Sequence, residues 1–245
     1  MRNETYSYGQ GKVYLGENNG SDKPILRWVG DVSELSVSLS VEEFTHKESY
    51  SGQRQEVRKL ITGKSGEVSI KFHEFSAENL SLMLLGSAQK IEAGSVSGEK
   101  LPAKIAVGDV IALAYPNVSS VVIDGLTENT DFVVDSTFGR IEFLKAVSEA
   151  KTVNYSYGAV QNVAMLSEQP KNLYLRFEGV NLAEDNQFQV IELYKVNFNP
   201  TEALNLINNE NNLDGLSAKA KVLADTSKVG DKTLGRFGRV VKITK

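Results

Sequence analysis

Two histidines and a few neighbouring carboxylates are the side chains from which catalysis or metal binding would have to start. His46 and His73 stand near the ends of two alternating segments, with Glu42, Glu43 and Glu74 close by in sequence. A metal site needs a third ligand at a defined spacing and partners that orient the ligands. Adjacent strand residues point to opposite faces, so Glu42 and Glu43 do not converge. We therefore expect neither a metal centre nor paired catalytic carboxylates.

Motifs for nucleotides and nucleophiles are also missing. The run Thr62-Gly-Lys-Ser65 evokes a phosphate-binding loop, but Arg58 stands where that motif requires its first glycine. There is no Gly-x-Ser-x-Gly elbow, and the absence of cysteine excludes disulfides and thiol catalysis. We predict that the chain is not an enzyme and uses no cofactor.

Composition and charge narrow the class of protein further. The chain has 245 residues, which allows one large β domain or two smaller ones with a real core. A formal charge of -4 argues against a surface built to hold phosphates. No apolar run of about twenty residues is present, and the polar first residues show no signal peptide. We expect a product that is made in the cytosol and has no membrane partner.

The sequence is organised around residues 32–75, which contain two segments of alternating polarity. In the first segment the aliphatic positions are Leu35, Val37, Leu39 and Val41, and the polar positions between them are Ser36, Ser38, Ser40 and Glu42. In the second segment Val68, Ile70 and Phe72 alternate with Ser69, Lys71 and His73. A period of two places each set on one face of a sheet, so one face packs on a core and the other meets water.

Between these segments lies a charged connection, residues 44–66, which we predict to be a long hairpin loop. A tight hairpin needs only about two to five connecting residues, and longer unstructured loops are usually functional or disordered. Apolar residues are mixed with its charges, which favours a partner-binding arm. The candidate contact residues are Tyr50, Arg54, Arg58, Lys59, Leu60 and Ile61.

The flanking regions predict a β domain that is interrupted by a second, smaller one. Ser76 and Asn199-Pro-Thr-Glu202 are start signals for two short helices, with Gly86 as the left-handed residue that ends the first and Leu204 and Ile207 facing inward in the second. Short strands separated by turn residues indicate a small β subdomain at 101–159. The main domain would then comprise residues 1–100 and 160–245.

Long strands with open edges are a liability unless they are covered. Copies of one chain can cover them by pairing edge to edge around a closed ring. The residues alone therefore favour a self-assembling structural protein.

Several segments together resemble the major tail tube proteins of long-tailed, non-contractile bacteriophages. They are Gly11-Lys-Val-Tyr-Leu-Gly16, Leu26-Arg-Trp-Val-Gly-Asp31, Glu34–Glu42, Ser49-Tyr-Ser-Gly52, Gly66–Phe72 and Ser76-Ala-Glu-Asn-Leu80. The resemblance implies a mainly β, tail-tube-like sandwich or barrel that forms stacked, hexameric rings around a channel for DNA ejection. It also implies that the hairpin loop contacts a neighbouring subunit or ring.

The resemblance further implies a virion protein of the tail, made in the host cytoplasm, with tape-measure, tail terminator and tail tip proteins as partners. DNA would pass through the lumen without specific binding, and Ser36, Ser38, Ser40 and Glu42 suit such a wall. Lys71, Arg176, Lys219 and Lys221 do not, so these cations are either paired with carboxylates on adjacent strands or lie off the lumen face.

Two alternatives stay open at this point. One is a ring-forming tube protein of a contractile or secretion system, for which the chain is long. The other is a carbohydrate-binding or adhesive β-sandwich, in which Trp28 or an exposed tyrosine would stack on a sugar.

Overall fold

The computed structural model describes residues 6–20, 23–184, 186–228 and 233–243, and the chain is mainly β. It divides into two compact units, unit 1 formed by residues 1–87 and 164–245, and unit 2 formed by residues 88–163. The predicted subdomain, residues 101–159, lies within unit 2. Unit 2 extends beyond these residues at both ends.

Within the described residues the chain forms sixteen strands, one α-helix and one short 3-10 helix. The strands are β1 (Gly9–Glu17), β2 (Arg27–Trp28), β3 (Val32–Lys47), β4 (Glu56–Phe72), β5 (Ser87–Ile91), β6 (Gly94–Lys100), β7 (Val110–Ala112), β8 (Val118–Ile123), β9 (Phe132–Asp135), β10 (Arg140–Phe143), β11 (Thr152–Tyr157), β12 (Val160–Ala164), β13 (Asn172–Asn181), β14 (Gln187–Phe198), β15 (Leu216–Val222) and β16 (Gly238–Lys242). The α-helix, α1, spans Ala77–Met83, and the 3-10 helix spans Thr226–Lys228.

Unit 1 is built on an eight-stranded sheet with the order β2-β1-β13-β14-β15-β4-β3, in which β16 also pairs with β14. These pairs are antiparallel. Strand β14 shares one edge between two partners, because Gln189–Leu193 pair with β16 and Val196–Phe198 pair with β15. In this order the two edge strands of the sheet are β2 and β3.

The core of unit 1 follows from strict alternation. In β15 the buried residues Ala218 and Ala220 lie opposite Ile70 and Val68 of β4, while Lys219 between them is exposed. The buried set continues with Val13, Leu15, Phe72, Met83, Leu175, Val196, Phe198 and Leu216. Across β4 and β15 one face of the sheet is thus apolar and packed, as the period of two predicts. The same prediction is wrong for β3, where Val37, Leu39 and Val41 are 37%, 76% and 50% exposed because no element of the described chain covers them.

Helix α1 confirms the prediction at Ser76, whose Oγ accepts a hydrogen bond from the Asn79 amide at 3.2 Å. The predicted end was wrong in one respect, because Leu85 and not Gly86 takes the left-handed conformation, at φ +46°. The Gly86 amide then donates to the Ser81 carbonyl at 2.7 Å, which satisfies a free carbonyl of the last turn.

The second predicted helix, beginning at Asn199, is wrong: residues 199–215 form a loop without regular structure. The Thr201 hydroxyl donates to the Ala203 carbonyl at 2.9 Å, and the Asn208 side chain donates to the Asn212 carbonyl at 2.8 Å. Such local side-chain bonds compete with a helix. Ile207, predicted to face inward, is 84% exposed.

Unit 2 contains two three-stranded sheets, β7-β10-β9 and β6-β11-β8, and a two-stranded ribbon of β5 and β12. Its own core includes Ile123, Phe132, Ile141, Phe143 and Val153. No helix in the described part of the chain is long and apolar enough to cross a membrane.

Candidate functional site

The hairpin of β3 and β4 is longer than predicted, and the loop assigned to residues 44–66 is wrong. Cross-strand pairs continue past Glu42 as Glu43 with Ile61, Phe44 with Leu60 and His46 with Arg58, so that the turn is confined to residues 48–55. Register shifts after Glu42 and after His46 disturb the alternation without ending the ladder. The sequence pattern is therefore lost where the strands continue.

Beyond the body of the sheet this hairpin has only two strands, and we call residues 40–65 the arm. Strand β15 pairs with β4 only from Gly66 to Phe72, so the arm has no third strand among the described residues. A two-stranded hairpin is at best marginally stable in water. The arm also exposes large apolar side chains, namely Val41, Phe44, Tyr50, Val57, Leu60 and Ile61. Such a surface is typical of an interaction site.

The tip of the arm is held by one buried carboxylate, Glu48, whose exposed fraction is 4%. It accepts hydrogen bonds from the amides of Tyr50 at 2.8 Å and Ser51 at 2.9 Å, and from the Ser51 hydroxyl. The Gln55 amide adds a longer bond of 3.3 Å. The hydroxyl of Ser51 and these amides lower the pKa of Glu48 to about 2. Sequence reasoning missed this role, which only the spacing of Glu48 and Ser51 could have indicated.

The six predicted contact residues do not form one surface. Tyr50 and Arg54 lie in the turn, whereas the other four lie on β4. Register places Arg58 and Leu60 opposite His46 and Phe44. Lys59 and Ile61 belong to the opposite face, where Lys59 Nζ lies 2.7 Å from Glu43 Oε1.

Two edges of the sheet in unit 1 are open within the described residues. Strand β3 has β4 on one side and no strand on the other along Val32–Lys47. Strand β1 pairs with β2 only at Tyr14 and Leu15, and the Val13 carbonyl accepts a bond from the Val29 amide, which leaves the outer edge of residues 9–12 without a strand partner. Unpaired edges of this length are templates for pairing with another chain.

A groove of about 960 Å³ lies between these two edges. Residues 7–11 line it on the β1 side, and residues 31–35 with Val37 line it on the β3 side. Apolar side chains also reach it from β13 and β14, including Phe177 and Ile191. The apolar interior of unit 1 is therefore accessible between its edge strands.

The candidate lumen residues Ser36, Ser38, Ser40 and Glu42 do lie together on one exposed face of β3. Their partners across β4 are Ser69, Glu67, Ser65 and Gly63, and the hydroxyls of Ser40 and Ser65 are 2.6 Å apart. The next strand adds Ser217, Lys219 and Lys221 to the same face. We call this surface of β3, β4 and β15 the polar face.

The cations that sequence reasoning left unassigned have carboxylates beside them. Lys221 Nζ lies 3.1 Å from Glu67 Oε2 and Lys219 Nζ lies 3.7 Å from Glu202 Oε1. Lys71 stands opposite Glu34 in the strand register. Pairing with a carboxylate on an adjacent strand, one of the two alternatives, thus describes Lys221, whereas Lys219 pairs with a loop residue and Lys71 only faces Glu34 in register.

Arg176 belongs to a different cluster, around the buried carboxylate of Glu192 on β14. Arg176 Nη1 lies 2.7 Å from Glu192 Oε1, and Arg239 of β16 contacts the other oxygen. Burial raises the pKa of Glu192, but hydrogen bonds from Arg239 and Tyr174 more than offset it, so that the pKa is lowered. Burial and this carboxylate raise the pKa of Tyr174. The cluster ties β13, β14 and β16 together.

Metal binding and sugar stacking have little geometric support in the described residues. No group of three or more histidines, aspartates or glutamates could hold a metal ion there. Trp28, the candidate sugar-stacking residue, is 51% exposed, and Lys12 Nζ lies 5.4 Å from the centre of its ring. The lysine therefore occupies one face that a sugar would need.

Comparison with known proteins identifies the family of the chain but no activity. None of the curated proteins matches it. One family model matches residues 6–241, which is nearly the whole chain, and the chain belongs to that family, described as "Protein of unknown function UCP028589".

Proposed function

We propose that this protein is the structural subunit of a phage tail tube, which assembles into stacked hexameric rings and serves as a conduit for DNA ejection. The observation that carries the proposal is the open sixteen-residue edge of β3, continued into an arm with exposed apolar side chains. Edge pairing between copies would satisfy the free backbone groups of β3 and close a ring.

The polar face supports the channel part of this proposal. Serines occupy much of it, and the lysines on it have carboxylates beside or opposite them. Each phosphate contact adds salt-dependent affinity for DNA, so a wall whose cations are neutralised lets DNA pass. In the assembled ring the polar face would line the lumen and the apolar face would remain in the subunit core.

The proposal places the protein in the virion tail after synthesis in the host cytoplasm. Its partners would be further copies of itself, the tape-measure protein inside the tube, and the tail terminator and tail tip proteins at the two ends. No catalytic step is part of this function.

Electron microscopy and sedimentation of the concentrated, purified protein test the proposal. We expect rings and tubes for the natural protein and monomers for the variant Leu39→Lys/Val41→Lys, whose added charges lie at the base of the arm. The matched control is Val122→Lys on β8 of unit 2, which also replaces a half-exposed strand valine and should assemble normally. A protein that stays strictly monomeric at high concentration would contradict the proposal, as would equal loss of assembly in the control.

A further inference from the structure

The loop of residues 199–215 is a long irregular segment of unit 1 that exposes apolar side chains. It has no regular structure, and loops of this length inside compact domains are usually either functional or disordered. It exposes Leu206, Ile207 and Leu213 by 83%, 84% and 78%. A short helix is marginal without a surface to pack on, which explains why the helix-start signals at its beginning are not used in one copy.

The charge of this loop is of one sign. It contains Glu202, Glu210 and Asp214, and no lysine or arginine. Glu202 lies near Lys219, but neither Glu210 nor Asp214 has an ion pair within the described residues. The loop therefore combines exposed aliphatic side chains with free carboxylates.

The tip of the arm has the complementary properties. Tyr50 is 86% exposed, and Arg54 and Arg58 have no carboxylate partner in the described part of the chain, whereas Lys47 and Lys59 are paired with Glu56 and Glu43. Arginine binds carboxylates with two parallel hydrogen bonds, which adds geometric specificity to the attraction.

One copy cannot join these two surfaces. The loop enters the sheet at Leu216, which pairs with Phe72 at the end of β4, whereas Arg54 precedes the start of β4 at Glu56. Strand β4 has 17 residues, so at about 3.3 Å per residue its ends are roughly 50 Å apart. The tip of the arm and the loop are thus at opposite ends of the same strand.

We propose that the arm of one copy docks on the 199–215 loop of a second copy displaced along the strand direction, and that this contact stacks one ring on the next. The inference rests on the proposed function and names the receiving surface for the arm. A head-to-tail contact between different surfaces continues from copy to copy, as a tube requires. Docking covers Leu206, Ile207 and Leu213 and places Arg54 and Arg58 beside Glu210 and Asp214.

Charge reversal on each side tests the contact. We expect Arg54→Glu/Arg58→Glu and Glu210→Lys/Asp214→Lys each to raise the protein concentration needed for tube growth by about tenfold or more, because like charges then meet. Single rings should remain. The four substitutions together should restore tubes. The control is Glu168→Lys, which reverses an exposed carboxylate outside the loop and should have no effect.

Hydrogen exchange supplies a second readout. Amides of residues 203–213 should be protected in tubes and not in single rings, and Leu206→Asp should prevent both protection and stacking, whereas Ile25→Asp should prevent neither. Ile25 is 93% exposed, so this control adds the same charge to an equally open aliphatic position. Tubes that grow equally well with either reversed pair, or a combined variant that is not restored, would overturn the inference while leaving the ring proposal intact. Absence of rings in the natural protein would instead overturn the proposed function.

Discussion

Lys221 Nζ lies 3.1 Å from Glu67 Oε2, and the two residues are direct partners in the register of β15 and β4. The carboxylate neutralises a lysine in the middle of the polar face, next to Ser38 of β3. In the proposed tube, this pair would weaken the attraction of the polar face for phosphates.

Removal of that carboxylate should make the polar face bind DNA. We expect Glu67→Gln to increase the affinity of the assembled protein for a DNA duplex at low salt. The affinity should also fall more steeply as salt rises: the slope of the logarithm of the binding constant against the logarithm of the salt concentration steepens by about 0.9 for each added phosphate contact. Fluorescence anisotropy of a labelled duplex across a salt series measures this. The control is Glu17→Gln, which removes the carboxylate partner of Lys171, a lysine that does not lie on the polar face. Equal DNA binding by both variants would contradict the assignment of the lumen.

The buried carboxylate of Glu192 should contribute strongly to stability. Glu192→Ala leaves Arg176 and Arg239 without their shared partner, and breaking a buried pair on one side costs about 3 kcal/mol. Urea denaturation measures the loss of unfolding free energy. Because the pKa of Glu192 is lowered by folding, the advantage of the natural protein is fully present above about pH 4.3 and lost as the pH falls below that value.

Glu178 is the matched control for this prediction. It also binds Arg176, at 2.7 Å, but its side chain is 45% exposed. Glu178→Ala should cost less than about 1 kcal/mol because exposed pairs are weak. A loss as large as that of Glu192→Ala would show that burial is not the deciding factor.

Acid should weaken the tip of the arm. The pKa of Glu48 is about 2, below the ordinary glutamate value, so its hydrogen bonds stabilise the tip above about pH 4.3 and are lost as the pH falls toward 2. Protection factors for the amides of Tyr50 and Ser51, measured by NMR, should fall over this range. Glu48→Gln should show low protection at every pH, and the control Glu56→Gln should behave like the natural protein.

Relief of the left-handed backbone at Leu85 should stabilise unit 1. A non-glycine residue at φ +46° costs about 1 kcal/mol, so Leu85→Gly should raise the free energy of unfolding by about that amount, reduced by the lost packing of a partly buried side chain. Leu84→Gly, at φ -99°, is the control and should destabilise. Thermal denaturation of both variants shows whether the change in stability comes mainly from the backbone angle or from the lost side chain.

The sequence by itself determined the elements whose signals are local. Alternation in Val68–Phe72 and in Leu216–Val222 predicted strands with one buried face, and Ser76 predicted the start of α1; these predictions are confirmed. Alternation in Leu35–Val41 predicted a strand correctly, but the buried face predicted for it is wrong, because Val37, Leu39 and Val41 are exposed. These predictions succeed because a period of two and a capping side chain act within a few residues of each other.

Only the tertiary structure decided the rest, because the partners concerned are distant in sequence. Bulges carry the ladder of β3 and β4 through residues 44–66 even though the alternation fails. Residues 199–207 remain a loop in which Leu204 packs on the core, while Thr201 bonds the Met83 and Ser217 carbonyls and Ile207 stays exposed. Glu67 and Lys221 are 154 residues apart, and Glu192 and Arg239 are 47 apart, so no window of sequence contains either pair. Sheet register brings them together, and register is a property of the folded chain.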